Sequence, residues 1–433
     1  MSQAFRKVVK RFIPHELFRK IEPFGHLLES VLANICYGFP ARSLRVIGVT
    51  GTNGKTTTSF MIHQMLTEAG VSSALMTTVG YGVGSDITPQ VAHMTTVSAF
   101  GLQKRLREYK KLGVKWVVLE TTSHALAQNR VWGVPYEVAV LTNITHEHLD
   151  YHGTYQAYVA AKRRMFEVAS RNKASFGVIN ADDPNVDQFV ATVSQAETYG
   201  INAGALKAEK IELTPAGSSY VALADSQAYR INCHIPGEFN VYNSLAAVGV
   251  GRHLGLTKAQ IEAGIASLKG VEGRMDVVSI GQEYSVVIDF AHTPDSFERL
   301  LADLRQSTKG KLVVMFGSAG RRDEAKRAIQ GEIAGRLADE VILTEEDDRD
   351  CDGNQILAQI AAGAEQAGKI IDDNLFLRLD RQKAIEFAMT RVSGKDDAVV
   401  LLGKGHEKTI ERADGEHPWN ETEEAKRAIG LVS

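Results

Sequence analysis

Cysteine, net charge and long apolar runs are all scarce in this sequence. Its 433 residues include three cysteines, Cys36, Cys233 and Cys351, far apart. They form no CxxC pair and no metal-ligand spacing, so the reading is reduced thiols in a cytosolic protein. No uninterrupted apolar run is long enough to span a bilayer, and no secretory cleavage pattern is found. A formal net charge of −3 gives no general reason to bind nucleic acid. Internal repeats and low-complexity segments are missing too. A content of 44% hydrophobic and 23% charged residues is ordinary for a globular chain, and the length suits two or three domains.

What the chain does carry is a glycine-rich loop in register with a strand and a helix start. Leu44-Arg45-Val46-Ile47-Gly48-Val49-Thr50 leads into Gly51-Thr52-Asn53-Gly54-Lys55-Thr56-Thr57-Thr58. The apolar run predicts a buried strand. After it, backbone N–H groups and a helix N-terminus would point at phosphate. Lys55 would reach the β- and γ-phosphates, and the Thr56 hydroxyl would ligate Mg²⁺. Gly51 and Gly54 allow backbone angles that side chains forbid. The expected ligand is a nucleoside triphosphate.

Other constellations follow. Glu120 ends the apolar run Trp116–Leu119 and precedes Thr121-Thr122-Ser123-His124. A carboxylate at a strand's C-terminal end is well placed to hold Mg²⁺ near phosphates. The stretch Thr142–Gly153 packs three histidines and two acids into a dozen residues, without the HExxH or HxxEH spacing of zinc hydrolases. Lys162 follows on a helical pattern, Tyr155–Ser170; read alone, it is an exposed helix lysine.

At the N-terminus, Arg6, Lys7, Lys10, Arg11, Arg19 and Lys20 surround Phe5, Val8, Val9 and Phe12. A second apolar set runs from Leu17 to Ile35 at helical spacing. Pro23 and Gly25 interrupt it, which predicts two helices. The choice lies between a membrane-surface or partner-docking element and a packing arm, with the arm favoured.

From Leu44 to about Gly270, strand-like runs (Val46–Val49, Trp116–Leu119, Val138–Leu141, Phe176–Ile179) alternate with helical ones (Thr57–Ala69, Ala99–Leu112, Tyr155–Ser170, Asn243–Leu254). This predicts an α/β fold with a parallel sheet covered on both faces. Leu206–Ile235 reads as a small antiparallel insertion. Beyond Gly273-Arg274 a second α/β series begins, with strands at Val286–Phe290, Leu312–Phe316, Glu340–Thr344 and Ala398–Leu402. The expected domains are a helical segment 1–40, a central domain 41–272 and a C-terminal domain 273–433.

Over about residues 42 to 430 the chain resembles the Mur ligases, ATP-dependent amide-forming enzymes of peptidoglycan precursor synthesis. It is most similar to the branch that adds the third residue of the stem peptide. The resemblance rests on the loop above, Glu120-Thr121-Thr122-Ser123-His124-Ala125-Leu126, His148-Leu149-Asp150-Tyr151-His152-Gly153 and Ala160-Ala161-Lys162. It continues in Asn180-Ala181-Asp182-Asp183-Pro184, Gly237–Ala247, Gly273-Arg274-Met275, Asp289–Asp295 and Gly403-Lys404-Gly405-His406-Glu407.

The resemblance implies a P-loop ATP-binding central domain and a Rossmann-like C-terminal domain that holds an amino acid. Gly51, Thr52, Asn53, Gly54, Lys55, Thr56 and Thr57 would bind ATP. Thr56 and Glu120 would hold one Mg²⁺, and His148 with Lys162, as a carbamate, a second. Asn243 would contact adenine, with Asp182 and Asp183 near that pocket. Arg274 would meet the phosphates, and Asp289 and His292 would lie at the hinge between the domains. Lys55, Glu120, His148, Lys162 and Arg274 are the implied catalytic set. Thr95, Thr96, Ser123 and Arg130 match acceptor contacts. Arg349, Gly403 and Glu407 match contacts of the incoming amino acid. The implied reaction joins that amino acid to a muramoyl dipeptide through an acyl phosphate, on a nucleotide-sugar or lipid-linked acceptor, in the cytoplasm or at the inner membrane surface. No nucleic acid is implied.

Three departures stand out. About forty residues precede the ATP domain, fewer than the family's UDP-gripping domain needs. The family's Asp-Asn-Pro-Arg motif appears as Glu346-Asp347-Asp348-Arg349, and Glu147 stands where many relatives have aspartate. Two other ligase readings stay open: a partner-dependent module acting on lipid-linked precursors, with peripheral membrane contact through residues 1–38, and a folylpolyglutamate-synthetase-like enzyme. A GTP switch is disfavoured, because Ser175 stands where the guanine-reading aspartate should be.

Overall fold

The computed structural model describes residues 15–90, 96–145, 147–214 and 217–432. It divides into two compact units. One holds residues up to Ile211 with Ser219–Asn232 and Phe239–Leu268; the other holds Glu212–Ser218, Cys233–Glu238 and Lys269–Ser433.

Eleven strands form one sheet: β1 (Arg45–Thr50), β2 (Ser73–Met76), β3 (Gly80–Val83), β4 (Asp86–Pro89), β5 (Trp116–Glu120), β6 (Tyr136–Leu141), β7 (Phe176–Asn180), β8 (Ala196–Gly200), β9 (Leu206–Thr214), β10 (Gly217–Ala224) and β11 (Gln227–Cys233). Their order is β11-β10-β9-β8-β7-β6-β1-β5-β2-β3-β4. The strands from β2 to β9 across the middle run parallel. At one edge β3 and β4 turn antiparallel to β2. At the other edge β9, β10 and β11 are neighbours in chain order, where the small insertion was expected.

The run Val46–Thr50 is buried on both faces, as an interior parallel strand requires. It pairs with β5 and β6, with Val49 opposite both Glu120 and Val140. That register brings the ends of three strands to one edge, where ligands of such sheets bind. The helix Tyr155–Ala169 packs Tyr158, Val159, Met165 and Phe166 into the core and starts on a Thr154 cap, whose hydroxyl accepts from Ala157 N at 3.1 Å.

Among the described residues one α-helix, His15–Tyr37, precedes this sheet. The expected break at Pro23 and Gly25 is absent. Proline's fixed φ is close to the helical value, so the helix continues through it at the cost of a missing backbone bond. Residues 1–14, part of the same expectation, lie outside the described residues.

In the second unit, β12 (Asp276–Val277), β13 (Ser285–Asp289), β14 (Leu312–Phe316), β15 (Glu340–Leu343), β16 (Leu375–Leu377) and β17 (Ala398–Leu402) form a sheet ordered β12-β13-β17-β14-β15-β16. All its pairings except β12–β13 are parallel. A separate hairpin joins β18 (Thr409–Arg412) to β19 (Gly415–Pro418). Deep in this unit Arg381 is fully buried and makes two bonds to Glu421, at 3.0 and 2.5 Å.

Candidate active site

The loop after β1 is braced from below. Thr52 N donates to Asn143 O at 2.7 Å, and Asn53 N to Asn143 Oδ1 at 3.0 Å. Gly51 and Gly54 both have positive φ, and both face side chains at close range. A Cβ on Gly51 would lie 1.8 Å from Thr142 Oγ1, and one on Gly54 2.2 Å from Asn243 Oδ1. No other residue fits either position. The helix Lys55–Glu68 starts here, with Thr57 buried in its first turn.

Thr56 Oγ1 donates to Glu120 Oε2 at 3.0 Å. Glu120 is 2% exposed and also accepts from Thr78 N and Thr78 Oγ1, at 3.0 and 3.1 Å. The hydroxyl and carboxylate expected to share a cation are therefore adjacent. Both are hard oxygen donors, which suits Mg²⁺. Among the described residues no group of three or more His, Cys, Asp and Glu side chains could hold a metal alone. Nucleotide-linked Mg²⁺ needs only one or two carboxylates with substrate phosphates, so the donor set fits.

Lys162 is not the exposed helix lysine that its local pattern suggests. It is 1% exposed and donates to Gly51 O at 2.5 Å. Lys55 Nζ donates to the same carbonyl at 3.1 Å and to Thr52 O at 2.7 Å. Burial first, and then the Lys55 charge, push the Lys162 amine well below the usual lysine range, against Glu147 and Asp183. The site thus makes the neutral amine, the form able to take up CO₂, easier to reach than on an exposed lysine.

Tyr158 lies one turn before Lys162 on the same helix face. Its ring centroid is 4.4 Å from Lys162 Nζ. Its hydroxyl is 3.0 Å from Thr52 Oγ1 and donates to Glu147 Oε2 at 3.4 Å. Sequence reasoning missed Tyr158, although its spacing from Lys162 was visible. It also missed Thr78, whose place beside Glu120 comes from the turn between β2 and β3.

His148 has φ 56° and sits 3.7 Å from Glu147 Oε2, with its ring 4.6 Å from that of His124. Ser123 Oγ lies 3.1 Å from His152 Nε2. Thr96 Oγ1 donates to Glu120 O at 3.3 Å, and Arg130 Nη1 donates to Thr96 O. Two expected acceptor contacts, Thr96 and Arg130, therefore sit together beside Glu120, while Ser123 starts the next short helix against His152; Thr95 lies outside the described residues.

Asn243 is tied to its own helix and to the helix after the loop: its Oδ1 accepts from Thr58 at 3.1 Å, and its Nδ2 donates to Asn240 at 2.8 Å. Each of these atoms keeps one further hydrogen-bonding site. Asp182 clamps a turn, accepting from Ile201 N, Asn202 N, Ala203 N and Tyr242 OH. Burial pushes its carboxyl up, but those bonds hold it below the usual range. Asp183 accepts from Ile144 N and Asn185 N at 2.5 and 2.8 Å.

The second unit carries its own set. Asp289 accepts from Met275 N and Ala291 N, both at 2.7 Å, and burial raises its carboxyl despite Arg274. Arg274 lies over Phe290, 5.0 Å from its centroid, with its buried Nε lacking a partner. His292 Nδ1 is 2.9 Å from Phe290 O. Arg349 has φ 58°, donates from Nε to Glu411 at 2.7 Å and from Nη1 to Gly320 O, and keeps Nη2 4.0 Å from Asp347. Gly403 abuts Glu346, and Lys404 bridges Asp347 and Glu407 at 2.8 Å each. Burial raises the Glu407 carboxyl, and burial with Glu345, Glu346 and Asp347 pushes Asp348 up to about 6.

A phosphate loop at the edge of a parallel sheet, with a hydroxyl–carboxylate pair behind it, defines a P-loop nucleotide enzyme. Residues 49–251 match the Mur ligase middle domain, and residues 273–405 the Mur ligase, glutamate ligase domain. The chain belongs to the Mur ligase family of ATP-dependent amide-forming enzymes. It is 41% identical over 421 residues to the UDP-N-acetylmuramyl-tripeptide synthetase of Roseiflexus sp. (strain RS-1), across 94% of this chain and 82% of that protein. It is 39% identical over 395 residues to the UDP-N-acetylmuramoyl-L-alanyl-D-glutamate–2,6-diaminopimelate ligase of Geobacillus thermodenitrificans (strain NG80-2), across 89% and 79%. A solved structure of a ligase with the latter name matches with TM-score 0.67 and 32% identity, over 90% of this chain and 79% of that one. A Mycobacterium tuberculosis folylpolyglutamate synthase complexed with ADP matches with TM-score 0.71 and 18% identity, over 90% and 94%, a likeness of fold alone.

Proposed function

We propose that the chain adds the third amino acid of the stem peptide to a muramoyl dipeptide, with ATP driving amide formation. The observation that carries this is Lys162, a buried lysine on the carbonyl of a phosphate-loop glycine. A simple nucleotide switch has no use for it. In this reading the neutral amine attacks CO₂, a C–N bond forms, a proton leaves, and an anionic carbamate results. Mg²⁺, held through Thr56 and Glu120 and through His148 and the carbamate, would supply positive charge to the phosphates.

The acceptor's carboxylate then attacks the γ-phosphate, giving ADP and an acyl phosphate. Lys55 offsets the charge that spreads onto the phosphoryl oxygens, and the loop N–H groups hold the nucleotide in line. Thr96, Ser123 and Arg130 orient the acceptor. The incoming amine attacks the acyl carbon, and phosphate leaves through a tetrahedral intermediate. Arg274, Asp289 and His292 are assigned to the nucleotide from the second unit.

The proposed incoming amino acid is meso-diaminopimelate; 2,6-diaminopimelate stands in the names of several relatives. Arg349 would make a two-pronged pair with its distal carboxylate, beside Gly403 and Glu407. L-lysine is the second reading, favoured by the bond from Arg349 to Glu411 at 2.7 Å, which already neutralises that guanidinium. Surface docking, the alternative to the packing arm favoured on sequence, is proposed for the N-terminal segment; among the described residues no helix is long and apolar enough to cross a membrane.

The test is ADP release with UDP-MurNAc-dipeptide against a panel of amino acids. ADP should appear only with acceptor and amino acid together. Release that ignores either would overturn the assignment.

A further inference from the structure

Over residues 24–37 the helix His15–Tyr37 is packed inside out. Its fully buried positions are polar or small, His26, Ser30, Ala33 and Asn34, with Leu27 and Val31 half-buried beside them. Ser30 Oγ donates to Asn129 O at 2.8 Å, and Asn34 Nδ2 donates to Trp132 O at 3.0 Å. Gly133, at φ +84°, lets the loop approach so closely that a Cβ there would lie 2.8 Å from Asn34 Oδ1. The opposite face is apolar and open. Phe24, Leu28, Leu32 and Ile35 are 72, 60, 46 and 59% exposed. Their spacing of four, four and three residues makes one stripe along the helix. An ordinary surface helix buries such a stripe.

Cations border it on one side. A cavity of about 620 Å³ opens where this helix meets the rest of the domain, lined by Leu27, Trp132, Arg42, Arg164, Arg171 and a single acid, Glu167, among others. In the sequence, residues 1–20 carry six Lys and Arg against one Glu, in a chain whose net charge is −3. An apolar stripe bordered by cations along one side is the pattern of a helix lying in the surface of an anionic bilayer. Four side chains offer a few hundred Å² at most, short of the roughly 800 Å² per partner that a stable protein interface needs.

We propose that this helix docks the ligase onto anionic phospholipid, with Phe24, Leu28, Leu32 and Ile35 in the acyl boundary and Arg42, Arg164 and Arg171 against headgroup phosphates. This deepens the docking role given to the segment above and does not depend on the reaction assigned there. The contact is peripheral, and it would hold the catalytic domain at the membrane face.

The test is co-sedimentation of the full chain with vesicles of phosphatidylcholine alone and of an equal mixture with phosphatidylglycerol. Binding to the mixed vesicles should exceed binding to the neutral ones at least tenfold and should fall as salt rises. Leu28→Ser with Leu32→Ser should weaken it at least tenfold, and Arg164→Gln with Arg171→Gln should flatten the salt dependence. Light scattering on the same samples reads oligomeric state, and circular dichroism confirms that the variants fold. Absence of binding to mixed vesicles, or binding unmoved by the leucine pair, overturns the proposal. So does a wild-type dimer that the leucine pair splits, because the face is then a contact between copies. Binding that appears only after residues 1–14 are deleted also overturns it, since the stripe is then covered by the chain itself. Amide formation on soluble acceptor is assayed in parallel. Failure there overturns the assigned reaction while leaving vesicle binding to be judged alone.

Discussion

Replacing Lys162 by methionine should abolish turnover and make the ligand-free protein more stable. The amine donates one bond to Gly51 O, so its removal forfeits about 1 kcal/mol. Against that, holding a buried amine below its ordinary pKa costs stability that methionine does not, about 1.4 kcal/mol for each unit of depression. The net expectation near neutral pH is a gain, each kcal/mol raising the melting temperature by roughly 2–4 °C for a domain of this size. The pH dependence fixes the cause. The folded state holds the amine below its ordinary pKa, so between the folded value and about 10.4 the unfolded chain binds more protons. Wild-type stability therefore rises with pH across that window, by at most about 1.4 kcal/mol per unit. The advantage of Lys162→Met should shrink in step and level off near pH 10.4. Urea unfolding followed by tryptophan fluorescence, in CO₂-free buffer, measures both curves. A variant less stable than wild type near neutral pH, or a difference that ignores pH, would refute the reasoning.

Lys162→Ala should lose activity, and bicarbonate-independent rescue by a short carboxylic acid, read as ADP release, would support the carbamate. Lys55→Ala should lower turnover roughly a hundredfold or more, because its charge matters most as the γ-phosphate leaves; unchanged ADP release would sink that role. Gly54→Ala should weaken ADP binding at least tenfold by titration calorimetry, since φ is +80° and the new methyl would meet Asn243. Glu421→Gln should destabilise the second unit by about 3–5 kcal/mol, because Arg381 would stay buried with its charge uncompensated; calorimetry of the variant checks it. Arg349→Ala should move the choice between equal meso-diaminopimelate and L-lysine toward lysine, as read by mass spectrometry of the product, and an unmoved ratio would remove Arg349 from specificity.

The interior strands were legible because burial on both faces leaves a continuous apolar run: Leu312–Phe316 and Ala398–Leu402 are strands over the residues read from sequence. The edges were not. β3 is Gly-Tyr-Gly-Val and β19 is Gly-Glu-His-Pro, with neither apolar alternation nor β-branched runs, and their pairing comes from turns. The phosphate loop was legible as local chemistry. The burial of Lys162 was missed because a lone helix lysine was given its usual exposed place, although Tyr158, Val159, Met165 and Phe166, three and four residues away on the same face, are all buried. Only the family resemblance singled it out, and the tertiary approach of the loop after β1 explains why. Pro23 misled, since a helix tolerates one when the lost bond is the whole cost.

Thr58 and Asn243 are 185 residues apart in the chain, yet their bond and the contact of Asn243 with Gly54 set the shape of the phosphate loop. The loop is made early and finished late. At synthesis rates of roughly 5–20 residues per second, some 10–40 s separate emergence of its glycines from arrival of its brace. Over that interval the nascent chain carries the motif without the buttress that gives it its final conformation. Nucleotide affinity then becomes a property of the closed domain rather than of the motif, and a ribosome-bound chain stopped short of Asn243 should bind ADP far more weakly than one released beyond Leu268.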